Sequence, residues 1–183
     1  MIMDSTLPLV PSADFVQAMG QHAAAVCVIT TALDGARFGL TATAVSSVCA
    51  SPPRLLVCVN KLGTTHQAMA AAGSFCVNVL AEEQEQVAKS FAGMFGKDFE
   101  KFSAGQWGTL ATGAPALANA TAVFDCKVAQ QIDQFSHSIF IGEVVGVICA
   151  PGRDALIYGA RRFRTLRKTM HPYQTDAEEM LHF

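Results

Sequence analysis

Two neighbouring runs read FGLTATAVSSV at residues 38–48 and LLVCVNKLGTTH at residues 55–66, with Pro52 and Pro53 between them. Apolar and β-branched residues dominate both runs, which is typical of strands. Each run reaches small hydroxyl residues or a polar loop, and neither carries paired carboxylates or metal-ligand spacing. Because hydroxyls and main-chain amides hold the edge of a flat polar ring or a phosphate, these runs indicate a surface for such a ligand.

The strand pattern extends through most of the chain. We expect strands at residues 24–31, 38–48, 54–60, 74–80, 123–130, 138–149 and 156–158, and helices at residues 12–19, 64–72 and 81–91. The first two strands form a hairpin, strand 54–60 is expected to be buried on both faces, and two glycines in strand 138–149 indicate bulges. Strands dominate and connections are short, so the fold class is mainly β, with a closed antiparallel barrel favoured over a parallel α/β sheet.

The composition fits a single domain with a partly covered surface. Of the 183 residues, 15% are charged, whereas an average protein has about 25%. One interpretation is an apolar face covered by a second subunit, which favours a homodimer; the other is a well-filled core. We place the domain at residues 12–168, with a flexible N-terminus at residues 1–11 and a flexible tail at residues 169–183.

Charge and targeting signals argue against several classes of function. The net charge of −2 gives no reason to expect nucleic acid or an anionic membrane as a partner. No apolar run approaches the roughly 18 residues of a membrane span, and residues 1–11 lack the basic start of a signal peptide. We therefore expect a cytoplasmic protein. Its six cysteines form no Cys-x-x-Cys pair, which favours free thiols over a disulfide framework or a metal site.

The usual motifs for nucleotide binding are absent from the sequence. No Gly-x-Gly-x-x-Gly follows a strand, and GMFGKD at residues 93–98 has the wrong spacing for a P-loop. A bound nucleotide therefore has to be held in another way. Residues 41–44 offer small side chains against which a ring can lie, and the start of helix 64–72 offers free amides and a positive dipole end to a phosphate.

Over about residues 15–166, the chain resembles the short-chain flavin reductases, the reductase components of two-component flavin monooxygenase systems. The resemblance rests on TATA at residues 41–44, NKLGTTH at residues 60–66, the strand after His137, and YGARRF at residues 158–163. It implies an FMN-binding split β-barrel of Greek-key type that works as a homodimer. It also implies an enzyme that passes a hydride from NADH or NADPH to N5 of FAD or FMN, after which reduced flavin diffuses to a separate monooxygenase.

The flavin site implied by this resemblance has three parts. The strand segment contacts the isoalloxazine ring, the loop and helix start take the phosphate or the ribityl chain, and the end of helix 81–91 runs beside the ring. In this order, the residues are Thr41, Ala42, Thr43 and Ala44, then Asn60, Lys61, Thr64, Thr65 and His66, then Phe91 and Ala92. A plain strand, a capped helix with an exposed lysine, and a core phenylalanine are the competing structural interpretations.

By the same resemblance, His137 faces the nicotinamide and orients it, a role that requires neither an acid nor a base. Relatives typically carry Gly-Asp before this histidine, where the chain has Phe135-Ser136. By resemblance, the pyridine nucleotide site continues at Tyr158, Arg161, Arg162 and Phe163. Arg161 stands where glycine is common, and an arginine there can pair with a pyrophosphate. The competing interpretations are a solvated loop histidine and a basic surface turn.

Other functions stay open from the sequence. The same barrel could reduce another acceptor, such as a corrinoid or a metal, or could bind flavin as a non-catalytic electron carrier. A carrier needs no nicotinamide site, so His137 and residues 158–163 separate it from a reductase. Reductases of pyrimidine degradation and of phenol hydroxylation share these motifs, so the sequence leaves open the pathway, the choice of FAD or FMN, and the choice of NADH or NADPH.

Overall fold

The computed structural model describes residues 7–166. Within this range there are three α-helices, α1 (Ser12–Met19), α2 (Thr64–Ala72) and α3 (Glu85–Phe91), and two 3-10 helices at Glu82–Gln84 and Lys101–Ser103. The strands are β1 (Ala24–Ala25), β2 (Cys27–Leu33), β3 (Ala36–Ala42), β4 (Val45–Ala50), β5 (Pro53–Asn60), β6 (Ser74–Val79), β7 (Trp107–Thr109), β8 (Pro115–Leu117), β9 (Ala122–Gln134), β10 (His137–Cys149), β11 (Ile157–Gly159) and β12 (Arg162–Arg164). The predicted mainly β class is confirmed.

Seven strands form one antiparallel sheet in the order β3-β2-β6-β9-β10-β5-β4. Strands β3 and β4 lie at its opposite edges, yet only Thr43 and Ala44 connect them. So short a connection requires the sheet to curl until its two edges meet. The Cys58 amide donates to the Ala44 carbonyl at 3.0 Å beside this connection. The result is a barrel that is split between β3 and β4, as predicted.

The prediction of one continuous strand at residues 38–48 was wrong. The run forms two strands, because residues 36–42 pair with β2 and residues 45–50 pair with β5 on the far side of the sheet. The prediction that strand 54–60 is buried on both faces was also wrong. Leu55, Val57 and Val59 are buried, whereas Leu56 and Cys58 between them are only half-buried. This alternation shows that the second face of β5 is not fully covered within one chain.

Most other predicted elements are confirmed. Asp34 and Gly35 turn the β2–β3 hairpin with φ angles of 51° and 77°, as expected of a turn with both central residues left-handed. Helix α2 ends at Gly73, whose φ is 65°. The helix expected at residues 81–91 begins as a 3-10 turn and becomes α-helical at Glu85, which pairs with Lys89 at 2.7 Å. The register of β9 against β10 shifts at Gly142 and before Gly146, where bulges were expected.

Alternate residues of the central strands fill two apolar clusters. On β2, Val28 joins the cluster beneath α3, and Ile29 joins the cluster inside the barrel, which also holds Phe75 and Phe140. Each fully buried side chain of this size contributes about 1.5–3 kcal/mol to folding. Helix α3 packs very closely on β3 at Gly39, which has no side chain. A Cβ at this position would lie only 2.6 Å from the Phe91 ring.

All six cysteines are free thiols. Burial raises the pKa of the Cys27 and Cys126 thiols to about 12, and it raises the pKa of Cys76 further. Cys49 and Cys149 are exposed. Within residues 7–166, no helix is both long enough and apolar enough to cross a membrane. The tail predicted at residues 169–183 and the first six residues of the predicted flexible N-terminus lie outside the described residues.

Candidate functional site

The free edge of β3 forms the first wall of the candidate site. Among residues 7–166, this strand is the last one on its side of the sheet, so its outward amides and carbonyls have no strand partner there. Thr41 is half-buried, and its hydroxyl donates to the Ala88 carbonyl of α3 at 2.7 Å. The Thr41 side chain therefore fixes α3 against β3, while Thr43 and Ala44 remain exposed. Backbone groups and the Thr43 hydroxyl are left to face a ligand.

A cavity of about 230 Å³ lies at the end of this edge. Its lining residues are Val26, Thr41, Ala42, Thr43, Ala92, Met94, Tyr158 and Phe163. The rings of Tyr158 and Phe163 meet edge to face, with their centroids 5.2 Å apart. Strand β11 carries Tyr158 to this position by pairing with β1. The cavity thus brings residues predicted to hold the flavin ring together with two residues predicted to hold the pyridine nucleotide.

The loop after β5 and the start of α2 form the second part of the site. The side-chain oxygen of Asn60 accepts from the Leu62 amide at 2.9 Å and shapes the loop. Helix α2 then begins at Thr64. The amides of Thr64 and Thr65 lie in its first turn, where they have no acceptor within the helix. These amides and the positive end of the helix dipole suit an anion.

A chain of polar contacts ties this loop to the β9–β10 hairpin. Lys61 Nζ lies 3.3 Å from Asp133 Oδ2, and the Ser138 hydroxyl donates to Asp133 Oδ1 at 2.7 Å. The Ser138 oxygen also lies 2.7 Å from His66 Nε2. Because the single hydroxyl proton goes to Asp133, the His66 nitrogen is the donor in that contact. His66 is buried in this network, so its ring is committed to the protein.

Asp133 is held as a carboxylate by its neighbours. Hydrogen bonds from Gln131, Ser138 and Lys61 lower its pKa to about 2, although its side chain is exposed. Each of these donors favours the charged form of the carboxyl group. The network therefore keeps a negative charge beside Lys61. That charge reduces the ability of Lys61 to attract a phosphate.

His137 begins β10 and lies between Asn60 of β5 and Gln134 of β9. It is exposed, and its Nδ1 lies 2.9 Å from the hydroxyl of Ser136. Phe135, in the turn before it, has a φ of 44° and is almost fully exposed. His137 is thus beside the loop at residues 60–63 and is not among the residues that line the 230 Å³ cavity.

The remaining predicted site residues divide between core and surface. Phe91 is 2% exposed and packs against Phe102 and Trp107, with centroids 4.9 and 5.3 Å away. Its ring is committed to the core, whereas Ala92 lines the cavity. Arg161 lies in the turn between β11 and β12 with a φ of 60°, and Arg162 is exposed at the start of β12.

Several residues near the site were not anticipated from the sequence. Val26 and Met94 line the cavity, and Asp133 and Ser138 complete the network with His66. Apolar residues carry no sequence signal that separates a cavity wall from a core. The network joins residues about 70 positions apart in the chain, and only pairing of β5 with β10 brings them together. Within residues 7–166, no three histidine, cysteine or acidic side chains are grouped as a metal site.

Comparison with known proteins gives the class of this fold and site. The chain matches the family described as flavin reductase like domain over residues 19–167. FMN reductase (NADH) RutF of Ancylobacter novellus is 41% identical over 162 residues, covering 88% of this chain and 89% of that protein. The protein of the same name from Pseudomonas syringae pv. syringae is 43% identical over 152 residues, covering 83% and 85%.

Solved structures agree with this match. BorF, the flavin reductase component of a bacterial two-component tryptophan halogenase, gives a TM-score of 0.78 at 33% identity and covers 87% of this chain and 100% of that one. The NADH:FAD oxidoreductase of Streptomyces globisporus in complex with NAD and FAD fragments gives 0.80 at 30% identity, covering 90% and 100%. These matches define a flavin reductase, an oxidoreductase that works with a flavin and a reduced nicotinamide nucleotide. The chain belongs to the flavin reductase like domain family.

Proposed function

We propose that this protein reduces FMN or FAD with NADH and releases the reduced flavin to a separate flavin-dependent monooxygenase. One observation carries the proposal: a single cavity is lined by the strand segment expected to hold the flavin ring and by Tyr158 and Phe163. Relatives named FMN reductase (NADH) support FMN and NADH as the first substrates to test. The structural neighbour from a two-component halogenase supports transfer of reduced flavin to a second protein.

The protein contributes binding and orientation to this reaction. Hydride transfer is chemistry that the bound flavin and nicotinamide supply between themselves. The free edge of β3 and the Thr43 hydroxyl bind the edge of the flavin ring, and Ala42 and Ala92 leave room for its face. Holding the two rings in contact supplies the rate through proximity. This division of labour requires no proton transfer to or from a side chain of the protein.

The pyridine nucleotide is placed at the other side of the same site. The rings of Tyr158 and Phe163 form an apolar wall of the cavity, and Arg161 and Arg162 are close to it in sequence and exposed for a diphosphate. We keep His137 as a nicotinamide-orienting residue at the Asn60 end of the site. Ala44 is hydrogen-bonded to Cys58 of β5. Asn60 follows Cys58 by two residues, so these two positions are about 7 Å apart along the strand.

We also propose that the functional unit is a homodimer of domains that span residues 12–168. A groove of about 900 Å³ runs over β4, β5 and β10 and is lined by apolar residues, among them Val45, Val48, Leu55, Val144 and Val147. Val48 and Val147 are 46% and 58% exposed. An apolar surface of this kind marks an interaction site. The low content of charged residues favours a second copy of this chain as the partner that covers the groove.

The first experiment measures oxidation of NADH and of NADPH by the purified protein, with and without FMN, FAD or riboflavin. We expect NADH oxidation that saturates with added flavin and that is lost without it. Anaerobic ultrafiltration after one turnover should recover reduced flavin in the filtrate. Tight flavin binding without NADH oxidation would instead favour the electron carrier. Oxidation that requires a corrinoid or a metal would favour the other acceptor.

A variant then tests the cavity itself. Tyr158→Ala removes one wall of the cavity and should raise the KM for NADH while leaving the dissociation constant for FMN within about twofold. Val16→Ala on α1, outside the cavity, is the control and should change neither quantity. An unchanged KM for NADH in the Tyr158 variant would contradict the proposed position of the pyridine nucleotide.

A further inference from the structure

The turn between β9 and β10 carries the most exposed large apolar side chain among residues 7–166. Gln134 pairs with His137, so the turn consists of Phe135 and Ser136 alone. Phe135 is 98% exposed. The function proposed above assigns no role to this ring.

Phe135 also has a backbone conformation that favours glycine. Its φ is 44°, whereas Ser136 does not have a positive φ. A two-residue hairpin turn needs a positive φ at its first residue, where glycine, asparagine or aspartate is the usual choice. This conformation costs a bulky residue free energy that glycine avoids. Because the Phe135 ring is exposed, its contacts within the chain do little to offset that cost.

The surrounding structure holds the turn in place. The Lys61 amide donates to the Ser136 carbonyl at 3.0 Å, and the Lys61 ammonium lies 3.3 Å from the Asp133 carboxylate at the end of β9. Strained backbone persists where its surroundings fix it in this way, and it is concentrated at ligand sites. The turn therefore holds an aromatic ring in solvent from a fixed backbone.

The turn lies at the end of the site where the nicotinamide is proposed to bind. His137 follows the turn directly and pairs with Asn60 of β5. Asn60 is two residues from Cys58, whose amide donates to Ala44 beside the split of the barrel. Within residues 7–166, His137 Nε2 forms no hydrogen bond, so it can bond to the carboxamide of a nicotinamide. Phe135 is thus two residues from the group proposed to orient that ring.

The proposed dimer interface does not account for the exposed ring. The groove reaches β10 at Val144, seven residues beyond His137. Seven residues of a strand span about 24 Å. The groove and Phe135 therefore lie towards opposite ends of β10, and Phe135 needs another occupant.

We propose that Phe135 stacks on the nicotinamide ring of NADH and covers the face that is turned away from the flavin. The proposal rests on the proposed function, because it assumes a flavin ring on the other face of the nicotinamide. Two flat rings attract each other in offset or edge-to-face contact. Such a contact holds the nicotinamide against the flavin and excludes water from its outer face. Phe135 binds the substrate and exchanges neither a proton nor a hydride with it.

The test compares NADH with reduced nicotinamide mononucleotide, which has the same reactive ring and lacks the adenosine half. Phe135→Ala removes the ring and keeps a side chain at the strained position. We expect it to raise the dissociation constants of both nucleotides about fivefold to tenfold, as loss of one aromatic contact predicts. These constants are measured by nucleotide fluorescence on flavin-free protein, so no turnover is needed. The KM for NADH should rise by a similar factor, and Phe135→Trp should stay within about twofold.

Phe135→Gly separates binding from folding. It relieves the strained φ, so it should keep or raise the melting temperature while it weakens both nucleotides as the alanine variant does. Asn119→Gly is the matched backbone control, because Asn119 has a φ of 58° and precedes β9, whereas Phe135 follows it. Leu9→Ala is the control for loss of an exposed apolar side chain, since Leu9 is 96% exposed. Neither control should change the binding of either nucleotide.

Three results would overturn the proposal. Weakening of NADH without weakening of the mononucleotide would assign Phe135 to the adenine, and an equal loss of affinity for FMN would assign it to the flavin. Unchanged binding of both nucleotides together with a halved mass in sedimentation would assign it to a subunit interface. Failure of the proposed function would look different. In that case no flavin would support NADH oxidation by the unchanged protein, while the binding comparison would still report on Phe135.

Discussion

Gly39 is a position where the absence of a side chain sets the geometry of the site. A Cβ there would be 2.6 Å from the Phe91 ring, so only glycine allows α3 to approach β3 closely. The same approach lets Thr41 bond to Ala88 and places Ala92 at the cavity. The absence of a side chain at this one position thus sets how closely α3 packs on β3 beside the cavity.

Gly39→Ala should therefore destabilise the protein by about 1–3 kcal/mol, because the new methyl group overpacks the contact with Phe91. Denaturant unfolding measures this change. Gly108→Ala on β7 is the matched control, since a Cβ there meets no atom within 4 Å, and its effect should stay within about 0.5 kcal/mol. Equal effects of the two substitutions would contradict the tight contact.

Arg161 has a strained backbone conformation. Its φ of 60° is left-handed, a conformation that costs a residue with a side chain about 1–2 kcal/mol relative to glycine. Arg161→Gly relieves this strain and should raise the free energy of unfolding, but by no more than about 1 kcal/mol, since the greater entropy of glycine in the unfolded chain offsets part of the gain.

The control for this prediction is Arg162→Gly. Arg162 belongs to β12, where glycine weakens a strand, so this variant should lower stability. If the Arg161 variant lost both stability and affinity for NADH, the side chain would contribute contacts that outweigh its strain. A gain of stability with a raised KM for NADH would mean that the strain is retained for binding.

At the residue scale, the sequence indicated which elements carry the predicted site residues but not where their side chains point. Thr41, Phe91 and His66 were predicted to contact the flavin, but their side chains point to Ala88, to Phe102 and to Ser138. Orientation depends on which face of β3 meets α3 and on the partner of each hydroxyl. Those partners are distant in sequence, so local pattern carries no information about them.

At the scale of elements, the network from Lys61 to His66 fastens α2 to the β9–β10 hairpin. Ser138 is its centre, because it donates to Asp133 and accepts from His66 while fully buried. Ser138→Ala should leave the His66 donor unpaired and destabilise the protein by about 1–3 kcal/mol. Ser136→Ala removes an exposed hydroxyl two residues away and should have little effect. Similar unfolding free energies for the two variants would show that the network is dispensable.

The contribution of the same network to folding stability is predicted to depend on pH through Asp133. Its pKa is about 2 in the folded protein and about 3.9 in an unfolded chain. A lowered pKa means that its contribution to stability is complete above the unfolded value and is lost as the pH falls from about 4 to about 2. Asp133→Asn should make unfolding less sensitive to pH in this window, as denaturant titrations at several pH values would show. Asp98→Asn is the control, and an identical pH profile for both variants would contradict the prediction.

Element boundaries were predictable where turn chemistry marks them. Asp34-Gly35 and Gly73 were identified because glycine and aspartate tolerate left-handed backbone, and both turns are present. The break at Thr43-Ala44 carries no such mark, since both residues fit an extended strand. Strands β7, β8 and β12 are three residues each, too short for a periodic pattern to reveal them.

At the scale of the whole molecule, the exposed groove over β4, β5 and β10 predicts an interface. Val147→Lys places a charge in the groove and should shift the protein from dimer to monomer, halving the mass measured by sedimentation. Leu62→Lys, at a residue that is 91% exposed outside the groove, should leave the mass unchanged. A dimer that persists in the Val147 variant would place the interface elsewhere.

The family and the split barrel were predictable because several motifs and the strand count agreed over most of the chain. The low content of charged residues also indicated a covered surface. The sequence could not show that the second face of β5 is only half covered within one chain, because Leu56 and Cys58 look like core residues. A half-covered apolar face has the same composition as a core.

The two-residue connection between β3 and β4 has a consequence for how the protein is completed during folding. The two strands that it joins lie at opposite edges of the sheet, so its final place depends on the pairing of the five strands between them. Formation of these long-range contacts costs chain entropy, and the ligand site exists only once they have formed. Flavin can then bind only the finished molecule and adds its binding free energy to that state alone. Added flavin should therefore raise the free energy of unfolding of the protein.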